Sequence, residues 1–215
     1  MSIQWTIFFK VCKMTYKPHK LDIELHPRRH IASDDLCIYF LEKESEGYSA
    51  SDANNIIYNF KKPLSRQEHS DWYYKERAIK QISSMINTIR FPECFIVPAP
   101  TSKPRNSKEW DSRIDQVVDS IAQQQVSIAK NLDVTIPLLP AHNGGSRDIQ
   151  TIKNFTSCTV LPQNGINTVI LVDDVLTTGA HFRAWKEIIL ERNPHIKHVF
   201  GLFFALHLWK DFENL

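Results

Sequence analysis

Glycine is scarce in this chain, and the composition lacks the features of several protein classes. Six of the 215 residues are glycine, well below the average of about 7%. The 26 basic and 24 acidic residues nearly balance, and 42% of the residues are hydrophobic, which excludes a collagen-like or a disordered chain. A chain of this length is expected to bury one sizeable core, so a single domain is predicted.

Long apolar runs and paired cysteines are also missing from the sequence. No segment approaches the roughly 18 to 20 apolar residues of a membrane span, and the N-terminus lacks the pattern of a signal peptide. We therefore expect a cytoplasmic protein that does not contact a membrane, with either Met1 or Met14 as its native start. The four cysteines form no CxxC pair and the histidines no HExxH motif, so neither disulfides nor zinc are predicted.

Hydrophobic periodicity predicts strands that alternate with helices along most of the chain. The predicted strands cover residues 37–41, 94–97, 134–139, 158–161, 168–172 and 198–206. The predicted helices begin near Ser51, Asp71, Asp111 and Gly179, and a short helical stretch ends near Phe155. This alternation predicts an α/β fold with a mainly parallel central sheet and helices on both faces. Residues 1–70 are predicted to form an N-terminal, hood-like extension and residues 71–215 the core of the same single domain.

The segment 169–181 combines an apolar strand, a polar loop and the start of a helix. Two carboxylates, Asp173 and Asp174, follow the apolar run 169–172. Carboxylates at the carboxyl end of a strand can accept hydrogen bonds from the vicinal hydroxyls of a sugar. The hydroxyls and the glycine of 177–179 precede a helix whose free N–H groups favour a phosphate. The pattern therefore predicts a ligand that carries both a ribose and a 5′-phosphate.

This segment resembles the phosphoribosyl pyrophosphate (PRPP) motif of the type I phosphoribosyltransferases. In that family a hydrophobic strand, two acidic residues and a loop rich in threonine and glycine follow one another. The resemblance implies the type I phosphoribosyltransferase fold, with Asp173 and Asp174 as catalytic residues that meet the ribose 2′- and 3′-hydroxyls. It assigns the 5′-phosphate to Leu176, Thr177, Thr178, Gly179, Ala180 and His181. The alternative interpretation is an ordinary strand, loop and helix with an acidic turn.

The resemblance implies two further loops. The pyrophosphate loop of the family follows an earlier core strand, and positive charge there would bind the pyrophosphate. The matching residues here are Thr101, Ser102, Lys103 and Arg105. A mobile catalytic loop is expected at a hinge formed by two glycines, with an arginine that reaches phosphate. Its matching residues are Gly144, Gly145 and Arg147. The alternatives are an exposed turn bounded by prolines for the first loop and an ordinary surface arginine for Arg147.

Within this superfamily, the chain most resembles the ComF-like phosphoribosyltransferases linked to DNA uptake. The likeness lies in Lys61-Lys62, in the Val-Pro-x-Pro strand end at 97–100 and in the closing strand at 201–205. The four-cysteine zinc ribbon that often precedes those domains is missing, which indicates a stand-alone branch. The resemblance implies Mg²⁺ as the metal, held mainly by substrate oxygens, with no protein ligands beyond Asp173 and Asp174.

The resemblance implies a glycosyltransferase of nucleotide metabolism. It would move a 5-phosphoribosyl group from PRPP to a base-like nitrogen acceptor, with release of pyrophosphate. The alternative is a non-catalytic module that senses PRPP or a nucleotide, or serves as a scaffold in DNA uptake, repair or phage defence. The expected partners are accordingly PRPP and a base-like small molecule in the first case, and a nucleic acid or another protein in the second. A homodimer is compatible with both.

Overall fold

The computed structural model describes residues 16–209, except for 29, 46, 122, 124 and 138–147. Its strands are β1 (His19–Lys20), β2 (Cys37–Lys43), β3 (Cys94–Pro98), β4 (Val126–Ile128), β5 (Leu132–Val134), β6 (Thr156–Cys158), β7 (Thr168–Leu176) and β8 (His198–His207). Its α-helices are α1 (Asp52–Phe60), α2 (Tyr73–Ile86), α3 (Arg113–Asp119), α4 (Ile149–Asn154) and α5 (Ala180–Arg192). None of the helices in this described part is both long and apolar enough to cross a membrane.

Six of the strands form one mixed sheet in the order β1-β2-β8-β7-β3-β4. All neighbouring pairs are parallel except β1 and β2. The prediction of an α/β fold with a mainly parallel central sheet is therefore confirmed. Strand β2 pairs with β8, with Cys37 opposite Gly201, so part of the predicted N-terminal extension lies within the central sheet. A separate two-stranded sheet pairs β5 with β6.

Helices lie on both faces of the sheet, as two adjacent phenylalanines of β8 show. The ring of Phe203 lies 6.0 Å from that of Phe182 in α5. The ring of Phe204 lies 5.3 Å from that of Phe60 in α1. Because consecutive side chains of a strand point to opposite faces, α5 and α1 cover opposite faces of the sheet. Residues 169–172 of β7 are all buried, as expected of a central parallel strand.

The helix ends follow local signals in the sequence. Ser51 caps α1 by accepting a hydrogen bond from the Asn54 backbone N–H at 3.0 Å, and the helix ends before Pro63, as expected. In α2, the isoleucines spaced by three and four residues are buried, together with Lys75, Ala78 and Met85. Gly179 has the left-handed backbone conformation (φ 84°) and precedes α5 directly.

The structure corrects three predictions about strands. The strand predicted at 134–139 is wrong, because β5 ends at Val134. Val134 lies opposite Thr156, the first residue of β6. Residues 138 and 139 lie outside the described part. The Thr135 backbone N–H still donates to the Phe155 carbonyl at 2.9 Å, but Phe155 is the C-cap of α4, so the chain preceding β6 is helical and the ladder ends there. The predicted strand at 158–161 is observed at Thr156–Cys158. Strand β7 extends four residues beyond the predicted end at 172 because β8 continues to pair with it as far as Leu206.

Substituting Gly201 is expected to test the packing between β8 and α5. A Cβ at this position would lie 2.6 Å from the Phe203 ring and 3.1 Å from both the Cys37 Sγ and the Phe182 ring. We expect Gly201→Ala to lower the free energy of unfolding by about 1–3 kcal/mol, the usual cost of overpacking a core. Gly47→Ala is the matched control, because a Cβ there meets nothing within 4 Å. Urea unfolding measures both, and equal stabilities of the two variants would contradict this packing.

Candidate functional site

The two aspartates of the motif point to opposite faces of the sheet, because β7 continues as a strand through both of them. Asp173 lies opposite Phe203 of β8 and therefore faces α5. Asp174 faces the other side, where its carboxylate contacts residues of α1 and α3. The sequence places the two carboxylates side by side, but the pleat of the strand gives them separate surroundings.

Asp174 is almost fully buried and lies between two cations. Its Oδ1 is 2.8 Å from the Lys61 ammonium, and its Oδ2 is 2.9 Å from the Arg113 guanidinium. Burial by itself would raise the pKa of Asp174, but Lys61 and Arg113 outweigh it and lower this pKa to about 2. Asp174 is therefore a permanently charged carboxylate at neutral pH.

The ion pair of Asp174 continues into a buried chain of alternating charges. Arg113 also donates to Asp111 Oδ2 at 3.0 Å, and the same oxygen lies 2.7 Å from the ammonium of Lys75. Lys75 is 1% exposed and donates to the backbone carbonyls of Phe60 and Lys62 as well. The chain therefore connects the C-terminal end of α1, α2 and the start of α3 to the carboxyl end of β7.

Asp173 has a different environment, although it is the next residue. It is half-buried, and its Oδ1 accepts a hydrogen bond from the Asp174 backbone N–H at 2.7 Å. No ion pair to Asp173 is present among the residues that the structure describes. Burial, reinforced by the negative charge of Asp174, raises the pKa of Asp173 to about 7. Near neutral pH this carboxyl therefore exchanges a proton readily.

The polar loop after β7 and the first turn of α5 form a small cleft next to Asp173. Gly179 adopts φ 84°, a conformation that other L-residues rarely take, and the Ala180 N–H lies 3.4 Å from the Thr178 hydroxyl. The cleft is lined by Asp173, Val175, Leu176, Thr177, Gly179, Ala180, His181, Phe182 and Phe203. The structure thus brings Asp173 together with five of the six residues predicted to bind the 5′-phosphate, and the sixth, Thr178, does not line the cleft. The cleft has a volume of about 10 Å³, which is room for roughly one water molecule.

The segment around residue 30 packs on this loop, which the sequence analysis did not anticipate. The His30 backbone N–H donates to the Thr178 carbonyl at 3.1 Å. A Cβ added to Gly179 would lie 2.6 Å from Cδ1 of Ile31. Gly179 is therefore required for two reasons, its left-handed backbone and the close approach of Ile31.

The predicted pyrophosphate loop lies at the same edge of the sheet but holds its cations in ion pairs of its own. It follows β3, where the Ala99 backbone N–H donates to the Val172 carbonyl of β7 at 2.8 Å. The Thr101 hydroxyl turns back to the Lys103 carbonyl at 3.4 Å, while Ser102 is half-buried. The Lys103 ammonium lies 2.6 Å from Glu109. Arg105, the other charged side chain of the loop, also has an acidic partner, Asp115.

Arg105 is held by two acidic residues and one aromatic ring. Its guanidinium pairs with both carboxylate oxygens of Asp115, and it lies 5.1 Å from the centre of the Trp110 ring. Its backbone N–H donates to Asp133 at 3.2 Å. This arginine therefore fixes the loop to α3 and β5 in the structure. The predicted mobile-loop residues Gly144, Gly145 and Arg147 lie outside the described residues.

Asp173 and Asp174 are the carboxylates of this site that the expected magnesium ion could contact. In the described part of the chain, no group of three or more acidic, histidine or cysteine side chains is placed to hold a metal ion. Mg²⁺ is commonly bound by one or two carboxylates with substrate phosphates and water. Asp174 is already held by two cations, so Asp173 is the carboxylate that is placed to contact such an ion.

Sequence patterns do not assign four residues of this site, namely Lys61, Arg113, Asp111 and Lys75. One signal for them exists in α2, where Lys75 continues the buried stripe of Ile79 and Ile82 at helical spacing. A lysine on an apolar face needs a buried acidic partner or a carbonyl cage. That pattern indicates a buried ion pair, but it does not identify Asp111 or the link to Asp174.

A scan against models of protein families finds no matching family, and a search of curated protein sequences finds no match either.

The two aspartates are expected to affect stability in opposite ways. The pKa of Asp173 rises from 3.8 to about 7 on folding. Between these two pH values the folded protein keeps a proton on Asp173 that the unfolded chain has lost. Its stability therefore falls as the pH rises from about 4 to 7, by at most about 1.4 kcal/mol per pH unit. In Asp173→Asn this fall should be absent, so the variant should be more stable than the wild type at pH 8. Urea unfolding across this pH range measures the slope, and an unchanged slope in Asp173→Asn would contradict the assignment.

Asp174→Asn is the opposite case, because the pKa of Asp174 is lowered to about 2. Its carboxylate stabilises the fold above a pH of about 4, and this contribution is lost as the pH falls through about 2. At neutral pH we expect the variant to lose about 3 kcal/mol. Most of that loss comes from Arg113, since Lys61 is 42% exposed and solvent screens its charge. The same unfolding series measures it, and a variant as stable as the wild type at pH 7 would show that the ion pair contributes nothing.

Proposed function

We propose that the protein is a PRPP-binding phosphoribosyltransferase with the type I fold. In this proposal it transfers a 5-phosphoribosyl group to a base-like nitrogen acceptor and releases pyrophosphate. The observation that carries the proposal is the placement of Asp173 in one cleft with the Gly179 loop and the first turn of α5. The likeness of segment 169–181 to the PRPP motif of that family supports it.

The first turn of α5 supplies the proposed phosphate site. Free backbone N–H groups and the positive end of the helix dipole favour a dianionic phosphate at this position. The backbone of Gly179 has no side chain that would keep such a group at a distance. Because the cleft has room for about one water molecule, its walls must move apart to admit a phosphate. The hydrogen bond from His30 to Thr178 is the contact most directly affected by that movement.

The carboxylates supply the proposed ribose site. A charged carboxylate accepts hydrogen bonds from hydroxyl groups strongly. Asp173 is in the same cleft as the phosphate loop, and Asp174 lies on the adjacent position at the end of the sheet. Near pH 7 Asp173 is partly protonated, and contact with a cation or with hydroxyl donors would favour its charged form.

The proposed reaction needs charge stabilisation and positioning rather than a covalent nucleophile. The bond between ribose C1 and the pyrophosphate oxygen breaks with its electron pair on oxygen. A bond between C1 and the acceptor nitrogen forms, and the proton of that nitrogen passes to solvent. When bound, Mg²⁺ would neutralise charge on the pyrophosphate oxygens. The chain's own part is to hold the phosphate and ribose at the end of β7 and to place cations near the leaving group.

Calorimetry with PRPP and Mg²⁺ tests the proposed binding site. We expect the wild type to bind, and Asp173→Asn and Asp174→Asn each to weaken binding about tenfold or more, because each loses a charged acceptor for ribose hydroxyls. Asp52→Asn is the matched control, since Asp52 is an exposed carboxylate at the far end of α1 from Lys61. Each variant is first checked for folding by circular dichroism.

Pyrophosphate release across a panel of nitrogen bases then tests transfer. Release that depends on one base supports the transferase. Binding of PRPP without release from any base would favour the sensing module instead. Failure of the wild type to bind PRPP, or unchanged binding in both aspartate variants, would overturn the site itself.

A further inference from the structure

Lys61 is an exposed cation that directly contacts an aspartate of the motif, yet it comes from a different part of the chain. Its ammonium lies 2.8 Å from Asp174 Oδ1, and its side chain is 42% exposed, whereas the carboxylate is 10% exposed. The other partner of Asp174, Arg113, is 15% exposed and is also bound to Asp111. Asp174 therefore holds one fixed cation and one that solvent and a ligand can reach.

The backbone that carries Lys61 is firmly held. The Lys61 backbone N–H donates to the Ile57 carbonyl of α1 at 3.0 Å, and the next N–H, that of Lys62, donates to the Asn59 carbonyl at 3.2 Å. The carbonyls on either side of it, those of Phe60 and Lys62, accept hydrogen bonds from the buried Lys75 at 3.0 and 2.8 Å. The backbone at Lys61 is thus fixed by the helix and by a buried lysine, while the side chain is 42% exposed.

Lys61 can leave Asp174 without stranding a buried charge. Arg113 donates to the second oxygen of Asp174 at 2.9 Å and would remain there. Burial, and after it the positive charge of Lys61, lowers the pKa of Lys43, so Lys61 is repelled by a second lysine on its own side. The repulsion between two neighbouring ammonium groups is relieved by an anion that binds between or beside them. Lys61, which is 42% exposed, is therefore able to turn to an anionic ligand while Arg113 keeps Asp174 paired.

The cations of the predicted pyrophosphate loop are paired with carboxylates other than those of the motif. Arg105 is bound by Asp115 on both oxygens, and removing it would leave a buried carboxylate with weaker support. Lys103 is paired with Glu109 of its own loop. Neither contacts Asp173 or Asp174 among the described ion pairs, whereas Lys61 does.

We propose that Lys61 binds the pyrophosphate group of PRPP and stabilises the negative charge that develops on it as the bond to ribose C1 breaks. The proton stays on the Lys61 ammonium throughout, so the residue acts as a fixed charge. This proposal rests on the proposed function, because it assumes that the Asp173 cleft holds the phosphoribosyl group. It adds a leaving-group contact from the end of α1, outside the loop predicted for that role.

A comparison of two ligands isolates this contact. PRPP and ribose 5-phosphate share the ribose hydroxyls and the 5′-phosphate, but only PRPP carries a pyrophosphate. Calorimetry in the presence of Mg²⁺ gives the Kd of both ligands for the wild type, Lys61→Gln, Lys61→Arg and the control Lys80→Gln, which removes an exposed lysine of α2. Thermal unfolding by circular dichroism verifies that each variant is folded.

We expect Lys61→Gln to weaken PRPP binding about tenfold or more, as for loss of a charge-assisted contact, and to change the Kd of ribose 5-phosphate less than about twofold. Lys61→Arg should retain most of the PRPP affinity, and Lys80→Gln should leave both ligands unaffected. Equal weakening of both ligands in Lys61→Gln would overturn the proposal, because Lys61 would then act only through Asp174. Unchanged PRPP binding would also overturn it.

The same titrations separate this proposal from the proposed function. If the wild type binds ribose 5-phosphate and Asp173→Asn does not, the phosphoribosyl site stands whatever Lys61→Gln does. If the wild type binds neither ligand, both proposals are overturned.

Discussion

The ion pair between Asp174 and Arg113 is the interaction on which the rest of the site depends. A carboxylate buried at the end of a central strand is stable in its charged form only with cationic partners. Arg113 meets this need and is itself held by Asp111, which Lys75 holds in turn. Through the carbonyls that Lys75 contacts, the C-terminal end of α1 is fixed relative to β7. The helical layer on this face and the end of the sheet are therefore oriented by one buried chain of charges.

Strand pairing divides the aspartates into two chemical types. Had β7 ended at Val172, both carboxylates would lie in a loop, free to turn toward the same ligand. Because pairing with β8 continues to Leu206, Asp174 meets the cations and has a low pKa, whereas Asp173 meets the α5 cleft and has a high one. Two carboxylates with such different pKa values can take different roles in one site. A ribose that contacts both must lie across the end of the strand rather than on one face.

The sequence predicts those parts of the fold that depend on local patterns. The apolar run of β7, the Ser51 cap of α1 and the isoleucine stripe of α2 are each determined by residues close in sequence, and the structure has all of them. The end of β7 was not predictable in this way, since it depends on the length of β8. The partners of Asp174 were not predictable either, because Arg113 lies 61 residues away along the chain and α3 must pack before the two can meet.

Gly179 illustrates how a residue predicted for one reason can be required for two. The loop pattern favours glycine there because a phosphate must approach the backbone closely. The structure adds that Ile31 occupies the space where a side chain would begin, while His30 donates to Thr178 on the same loop. The N-terminal segment contacts the backbone around Gly179, and the proposed phosphate site uses the same stretch of backbone. Any change that loosens residues 30 and 31 consequently alters the loop, even though neither residue belongs to the motif.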